Sequence, residues 1–198
     1  MRTIEKIIDH TGIILTKDAI ALGVSKHELY NYLRDNNYSQ VSHGVYALPE
    51  TFEDESYMLY LRCPQGVLSH DEALYHYGFT DREPVQPTIT IYTGYGTARL
   101  VTDGIKVFTV KKELLEIGKD WIKTAFGHSV PMYDRERTIC DLIRSRNHFE
   151  IQDFQSALKT YVRAKEKDLN KLMEYAKCFM WKKFCENIWG YFTRLPFN

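Results

Sequence analysis

Hydrophobic residues in the first part of the chain recur at short intervals that predict helices. Isoleucines at i, i+3 and i+4 within residues 4–8 predict a first helix, which Gly12 ends. A second helix is predicted over residues 17–22, with Thr16 as its N-terminal cap and Gly23 as the turn after it.

The next residues predict a third helix followed by a β-hairpin. Ser25 and Glu28 have the spacing of a capping box, in which each side chain satisfies a free backbone N–H of the other residue. The helix is predicted over residues 26–35, and the alternation in 38–48 predicts a hairpin with its tip at 42–44. Helices, a glycine turn, a capped helix and a hairpin follow the order of a winged helix-turn-helix domain.

The third helix has one hydrophobic side and one polar side. Leu29 and Leu33 fall together, and the opposite side carries hydrogen-bonding and cationic side chains that can reach base edges and phosphates. With the neighbouring cations and the hairpin tip, the predicted DNA contacts are Lys17, Lys26, His27, Tyr30, Asn31, Arg34 and His43. A polar outer stripe is also what a solvated surface helix shows, and some winged helices bind only protein.

Residues 49–133 alternate between helical and strand-like patterns, which predicts a mixed α/β segment. Helices are predicted over 53–63, with Tyr57, Tyr60 and Leu61 facing inward, over 71–77 with Ser69 as its cap, and over 111–117. Strands are predicted over 88–92, 97–101, 105–110 and 128–133. Asp103-Gly104 predicts a hairpin between the second and third of these strands.

Residues 134–198 have helical periodicity throughout and a basic character. Lys159 and Arg163 are four residues apart, as are Lys167 and Lys171, and these four residues form a candidate interaction surface. Two interpretations stay open: a solvated outer face of packed helices, or a surface for an acidic protein or for DNA phosphate. The predicted fold class is α+β, with a winged helix-turn-helix domain at 1–48 and a second domain at 49–198 that divides into a mixed part (49–133) and a helical, basic part (134–198).

Charge and composition narrow the classes of function. The 198 residues carry 26 basic and 26 acidic side chains, and the net charges of residues 1–48, 49–143 and 144–198 are 0, −5 and +5. A net charge of zero does not by itself indicate a polyanionic partner. DNA binding therefore depends on how the basic side chains are distributed over the surface. No hydrophobic run is long enough to cross a bilayer, and the four cysteines form no C-x-x-C pair, which indicates a cytoplasmic protein without a structural metal.

The sequence contains no motif that carries a recognised catalytic chemistry. Gly94 and Gly96 lack the third glycine of a dinucleotide fingerprint, and His70 and His76 are not at the i, i+4 spacing of a helical metal pair. No cofactor and no catalytic residue is therefore predicted. Two alternatives to a simple DNA-binding regulator remain: a ligand-responsive winged-helix regulator, and an enzyme acting on nucleotides or tRNA.

Three segments resemble one protein family. They are residues 41–48 at the hairpin, 67–74 (Val-Leu-Ser-His-Asp-Glu-Ala-Leu) and 133–143 (Tyr-Asp-Arg-Glu-Arg-Thr-Ile-Cys-Asp-Leu-Ile). The chain is similar, over nearly its whole length, to the AbiEi-type antitoxins of abortive-infection systems. His43 stands where the family usually has arginine, which leaves a weaker phosphate contact at neutral pH.

The resemblance implies a type IV toxin–antitoxin system that serves in phage defence. It implies a cytoplasmic antitoxin that represses transcription of its own operon, as a monomer in solution with two protomers on inverted repeats of the promoter. It also implies that the C-terminal domain counters a nucleotidyltransferase-like toxin without a stable complex between the two proteins. With this role, the four basic residues Lys159, Arg163, Lys167 and Lys171 become the candidate antitoxin surface.

Overall fold

The structure is a computed structural model that describes residues 12–49 and 54–179. These residues form two compact units: residues 12–49, 54–64 and 123–129 belong to unit 1, and residues 65–122 and 130–179 belong to unit 2. The helix predicted at 4–8 and the helical continuation predicted beyond residue 179 lie outside the described residues.

Unit 1 contains a three-stranded sheet and short helices. Its elements are β1 (Ile13–Leu15), α1 (Thr16–Ala21), α2 (Lys26–Asp35), β2 (Ser39–Ser42), β3 (Val45–Ala47) and α3 (Glu55–Arg62). The strands are antiparallel in the order β1-β3-β2, with the β2–β3 hairpin as the wing. Helix α1, the turn at Gly23, helix α2 and the wing follow the order that the sequence predicted for a winged helix-turn-helix domain.

The core of unit 1 fixes the orientation of α2. Leu29 and Leu33 are buried against Ile14, Ala19 and Val24, as the helical spacing predicted. Burial of each leucine contributes about 1.5–3 kcal/mol relative to leaving it exposed. This inward side of α2 holds the opposite, polar side toward solvent.

The predicted N-terminal cap is confirmed for α2 and is wrong for α1. The Ser25 hydroxyl accepts a hydrogen bond from the Glu28 amide at 3.2 Å, which confirms Ser25 as the cap of α2. Thr16 is not a cap: it is the first residue of α1, Leu15 occupies the cap position, and the Thr16 amide donates to the Gly44 carbonyl at 2.8 Å. The reason is that β1, which the sequence analysis missed, runs directly into α1 and leaves no separate cap residue.

Helix α3 buries a different side from the one predicted. Met58 and Leu59 are buried, whereas Tyr57, Tyr60 and Leu61 are only partly buried. Its N-terminal cap is Asp54, whose carboxylate accepts from the Tyr57 amide at 3.0 Å.

Asp54 also anchors the loop of residues 123–129 that belongs to unit 1. Its Oδ2 atom lies 2.7 Å from His128 Nδ1 and accepts from the Thr124 hydroxyl at 2.6 Å. The His128 ring stacks on Tyr57 with the ring centroids 3.7 Å apart. One buried carboxylate therefore joins this loop to the start of α3.

The other elements form a mixed sheet and a set of helices. They are β4 (Val67–Leu68), α4 (Asp71–His76), β5 (Thr88–Tyr92), α5 (Ala98–Thr102), β6 (Lys106–Val110), α6 (Lys112–Leu115), β7 (Lys119–Lys123), β8 (Ser129–Tyr133), α7 (Arg135–Arg144), a 3₁₀ turn (Arg146–His148), α8 (Ile151–Arg163) and α9 (Leu169–Cys178). The sheet order is β6-β5-β4-β8-β7. Strands β5 and β6 are parallel, as are β4 and β8, whereas β4 and β5 are antiparallel.

The hairpin predicted around Asp103-Gly104 is wrong. Residues 98–102 form helix α5, because β5 and β6 are parallel and the chain must return to the starting edge of the sheet before β6 begins. Asp103 is the C-cap of α5, and Gly104 follows it with a φ of +82°, the conformation that commonly ends a helix.

Helix α7 forms the centre of unit 2. Its residues from Glu136 to Ile143 are all buried, and they include both charged and hydrophobic side chains. Ile139, Leu142 and Ile143 belong to the hydrophobic core to which α4, α8 and α9 also contribute. The helices predicted from the periodicity of residues 134–179 are thus confirmed, and Asp168 caps α9 by accepting from the Lys171 amide at 3.0 Å.

A buried arginine on α7 connects several elements of unit 2. Arg137 donates from Nε to Asp141 at 3.1 Å and from Nη1 to the carbonyls of Leu114 and Ile117. Its guanidinium also lies over the ring of Tyr133, 3.9 Å from the centroid. A buried charge is tolerated only when it is paired and hydrogen-bonded, and Arg137 has an ion pair and hydrogen bonds through Nε and Nη1, whereas its buried Nη2 has no hydrogen-bond partner.

The predicted fold class, α+β with an N-terminal winged helix, is confirmed. The compact units divide the chain at residues other than 48, since unit 1 also takes in α3 and residues 123–129. The domain limits 1–48 and 49–198 stay a prediction.

A pair of glycine substitutions tests how closely the chain packs on Arg137. Gly118 has a φ of +73°, and a Cβ there would overlap the Arg137 side chain; Gly104 has a φ of +82° and nothing within 4 Å of such a Cβ. Gly104→Ala is expected to cost about 1–2 kcal/mol from the left-handed backbone alone. Gly118→Ala adds a packing clash of about 1–3 kcal/mol. Urea unfolding of the two variants measures the difference, and equal losses of stability would contradict the tight packing at Arg137.

Candidate nucleic-acid interface

The polar side of α2 is accessible in unit 1. Tyr30 is 49% exposed, the Arg34 side chain is 73% exposed, His27 is exposed and Asn31 is half-buried. Because the leucines of α2 point into the core, these four side chains form a continuous polar strip. We call them the α2 strip.

The α2 strip is partly organised by its own hydrogen bonds. Asn31 Nδ2 lies 3.1 Å from His27 Nε2, one helical turn apart, and Arg34 Nε donates to Asp35 Oδ1 at 3.2 Å. Both pairs are exposed, and an exposed ion pair contributes at most about 1 kcal/mol. The guanidinium of Arg34 can therefore exchange Asp35 for a base edge or a phosphate at little cost.

A groove of about 780 Å³ opens beside the α2 strip, within unit 1. Its lining comes from α1, α2, the wing and α3: Leu15, Thr16, Lys17, Ile20, Lys26, Tyr30, Gln40, His43, Gly44, Val45, Tyr46, Tyr60, Leu61 and Pro64. None of these lining residues carries a carboxylate. The groove therefore combines cations and aromatic rings without an opposing negative charge.

The structure divides the seven predicted DNA contacts into two groups. Lys17, Lys26, Tyr30 and His43 come together along the groove. The remaining three, His27, Asn31 and Arg34, are not among its lining residues and lie along the polar strip of α2. The assignment of all seven to DNA stays a prediction.

Sequence reasoning missed the aromatic walls of the groove. The edge of the Tyr30 ring meets Tyr46 with the centroids 6.3 Å apart, and Tyr60 contributes from α3. Burial and a hydrogen bond with Tyr30 raise the pKa of Tyr46 above its ordinary value of 10.0. Tyr60 was assigned to the inward side of its helix, and only the pairing of α3 with the wing brings it to the groove.

The candidate antitoxin surface is only partly free. Lys159 and Arg163 are exposed along α8, one helical turn apart, as their spacing predicted. Lys171 pairs with Asp134 at 2.9 Å, and Lys167 precedes α9 and donates to the Ala164 carbonyl at 3.0 Å. Lys167 and Lys171 therefore do not share a helix face, and the assignment of these four residues to toxin neutralisation stays a prediction.

The stretch Asp134–Asp141 has a structural role in unit 2. Besides the Arg137–Asp141 pair, Glu136 accepts hydrogen bonds from the Asp168 amide at 3.0 Å and from the Tyr161 hydroxyl at 3.2 Å. Asp134 caps α7 by accepting from the Arg137 amide at 2.8 Å. The carboxylates of this stretch are thus engaged in holding helices together.

His70 lies in a strained position at the turn between β4 and α4. It has a φ of +50°, unusual for a residue other than glycine, and no exposed surface. Its ring nitrogens lie 3.0 Å from Ser69 Oγ and 3.1 Å from Ser145 Oγ, and the ring stacks on Phe108. The Ser69 hydroxyl also meets Thr90 at 2.8 Å, so Ser69 does not cap α4 as predicted.

Burial first, and then the positive charges of Arg144 and Lys106, hold the pKa of His70 well below its ordinary value of 6.5. The ring is therefore neutral at physiological pH. Because it has no exposed surface, it is closed to a substrate. Among residues 12–49 and 54–179, no group of three or more His, Cys, Asp or Glu side chains is placed to hold a metal ion. Within the same residues, no helix has the length and hydrophobicity needed to cross a membrane.

Comparison with known proteins supports the winged-helix assignment. Residues 1–49 match a family model described as "Transcriptional regulator, AbiEi antitoxin". The resemblance to AbiEi-type antitoxins is thus confirmed for this part of the chain. A search of curated proteins finds no match.

A solved structure is similar over most of the chain. The crystal structure of the RV2827C protein from Mycobacterium tuberculosis matches with a TM-score of 0.58 and 14% identity, over 83% of this chain and 66% of that chain. At this identity the likeness shows the fold alone. This chain spans 66% of the length of that protein, just under two thirds.

The neutral His70 ring predicts an acid-sensitive fold. Below about pH 6.5 the unfolded chain binds a proton at this histidine, whereas the folded protein keeps the ring neutral. The free energy of unfolding therefore falls as the pH drops. The expected loss is up to about 1.4 kcal/mol per pH unit below 6.5 for this one proton. Urea unfolding between pH 7 and 5 measures it. His70→Asn, which tolerates a positive φ, should be less stable at pH 7 but should lose less stability on acidification; an unchanged pH slope would contradict the buried neutral histidine.

Proposed function

We propose that the chain is a DNA-binding autorepressor and antitoxin of a toxin–antitoxin operon. The observation that supports this most is the α2 strip, held outward on a capped helix of a winged-helix fold whose sequence matches an AbiEi regulator family. Side chains of the His, Asn, Arg and Tyr types at these positions can read base edges in the major groove. Lys17 and Lys26 contact phosphates in this proposal, and His43 does so from the wing.

The proposed operator is an inverted repeat in the chain's own promoter, occupied by two protomers. The predicted contacts include only three full positive charges, Lys17, Lys26 and Arg34. One winged helix therefore releases few counterions on binding and has a low affinity for DNA by itself. Two protomers on linked half-sites convert the second binding event into one of high effective concentration. The protomer is a monomer in solution in this proposal.

The proposed antitoxin activity belongs to the C-terminal domain and requires no stable complex with the toxin. The toxin is a nucleotidyltransferase-like protein of an abortive-infection system, and Lys159 and Arg163 form the accessible part of the candidate surface. The chain acts in the cytoplasm as a regulator in phage defence, without catalysis of its own and without a cofactor.

A double substitution on α2 tests the DNA-binding proposal. Asn31→Ala with Arg34→Ala removes a base-reading amide from a half-buried position and a cation from an exposed one. Each lost base contact costs about 1–3 kcal/mol, so the pair is expected to weaken operator binding by at least tenfold. Fluorescence anisotropy with a duplex from the chain's own promoter measures the affinity.

The matched control is Lys159→Ala with Arg163→Ala, which likewise changes two polar side chains on the surface of a helix. This control should leave operator binding unchanged and weaken rescue of cells that express the neighbouring toxin gene. The α2 variant should show the reverse pattern. Wild-type affinity of a folded α2 variant for the operator would contradict the proposed interface.

A further inference from the structure

The groove beside the α2 strip has the dimensions of a small-molecule site. Binding sites for small ligands typically enclose about 300–1,000 Å³, and the groove measures about 780 Å³. Its walls come from three directions: α1 and the start of α2, the wing, and α3. It is therefore a concave site in unit 1 rather than a flat part of the surface.

The lining indicates an anion. Lys17 and Lys26 supply two cations, His43 and Gln40 add polar groups, and no lining residue carries a carboxylate that would repel an anion. A negatively charged ligand in the groove is therefore attracted by one lysine on α1 and one on α2.

The lining also indicates a planar ring. Tyr30, Tyr46 and Tyr60 place three aromatic side chains along one groove, and Leu61 adds a hydrophobic surface from α3. Aromatic rings stack on tyrosine, and such stacking accepts any base because every base has a π-face. A DNA backbone consists of phosphates and sugars, which do not need an aromatic and hydrophobic wall such as the one that α3 forms.

We propose that this groove binds a small anion that carries an aromatic ring, of the size and chemistry of a nucleoside monophosphate. The ring lies among the three tyrosines, and the phosphate is held by Lys17 and Lys26. Gln40 and Tyr60, to which no DNA contact was assigned, become ligand-binding residues.

Occupation of the groove has a consequence for the proposed function. Lys17, Lys26, Tyr30 and His43 line the groove and are also proposed DNA contacts, so a bound ligand covers groups that the operator needs. The ligand and the operator then compete, and each lowers the affinity for the other by the same factor. This regulatory part depends on the proposed DNA binding, whereas binding of the nucleotide itself does not.

Isothermal titration of the full chain with AMP, GMP, CMP and UMP, without DNA, tests the site. We expect saturable binding of at least one of them with a dissociation constant between about 10 µM and 1 mM. Adenosine lacks the phosphate and inorganic phosphate lacks the aromatic ring. Both are therefore expected to bind more weakly than AMP. The absence of saturable binding by all four nucleotides at millimolar concentration would overturn the proposal.

Gln40→Glu tests the location of the site. Gln40 is an exposed lining residue, and the change keeps its shape while it adds a negative charge to the groove and removes the exposed hydrogen bond that Gln40 Nε2 donates to the Ser42 carbonyl. It is expected to weaken nucleotide binding about tenfold, whereas the same change at exposed Gln155 on α8, Gln155→Glu, should have no effect. Equal affinities of the two variants would place the nucleotide elsewhere and overturn the assignment.

Competition is measured separately, by anisotropy of the labelled promoter duplex with and without saturating nucleotide. Weaker operator binding with nucleotide supports the regulatory part, and an unchanged affinity overturns it. If the chain binds no promoter DNA at all, the proposed function fails, while the titration without DNA still decides the nucleotide site.

Discussion

Unit 2 depends on one buried carboxylate, Asp141, which pairs with two arginines of the same helix. Arg137 and Asp141 are 0% and 1% exposed, and their contact at 3.1 Å lies in the middle of the most buried helix of the unit. The Arg137 guanidinium also reaches one carbonyl within α6 and one just after it, the ring of Tyr133 at the end of β8 and the ring of Phe179 directly after α9. Arg144 pairs with the same carboxylate, from Nη2 to Oδ1 at 3.2 Å, so it is removal of Asp141 that leaves buried charge uncompensated, which costs about 3–5 kcal/mol. The contacts of residues 133–143 therefore give this segment a structural role, and its resemblance to AbiEi-type antitoxins stays a prediction.

Unit 1 depends on a different constraint, the direct passage of β1 into α1. Pairing of β1 with β3 places Thr16 against Gly44 at the wing, and the two leucines of α2 then pack onto the same small core. With the inward side of α2 fixed by these contacts, its polar side has one possible direction, toward solvent. The proposed reading of DNA and the proposed nucleotide groove both follow from this orientation of α2.

Local patterns predicted the elements that have a local cause. The cap at Ser25, the leucine side of α2 and the helical periodicity of residues 135–178 were all visible in the sequence, because capping and helical spacing involve residues close in the chain. Asp103-Gly104 was misread because the same dipeptide ends a helix or turns a hairpin, and only the parallel pairing of β5 and β6 decides between them. Likewise the groove, the loop anchored by Asp54 and the buried His70 join residues that are distant in sequence, and no short-range pattern reports such contacts.

The most direct measurement of the central claim is hydrogen–deuterium exchange of the full chain with and without a duplex from its own promoter. If the outward side of α2 and the wing form the DNA interface, exchange should slow within residues 26–46 and stay unchanged in α8. Protection confined to α8, or unchanged exchange within residues 26–46 while the duplex is bound, would contradict the account.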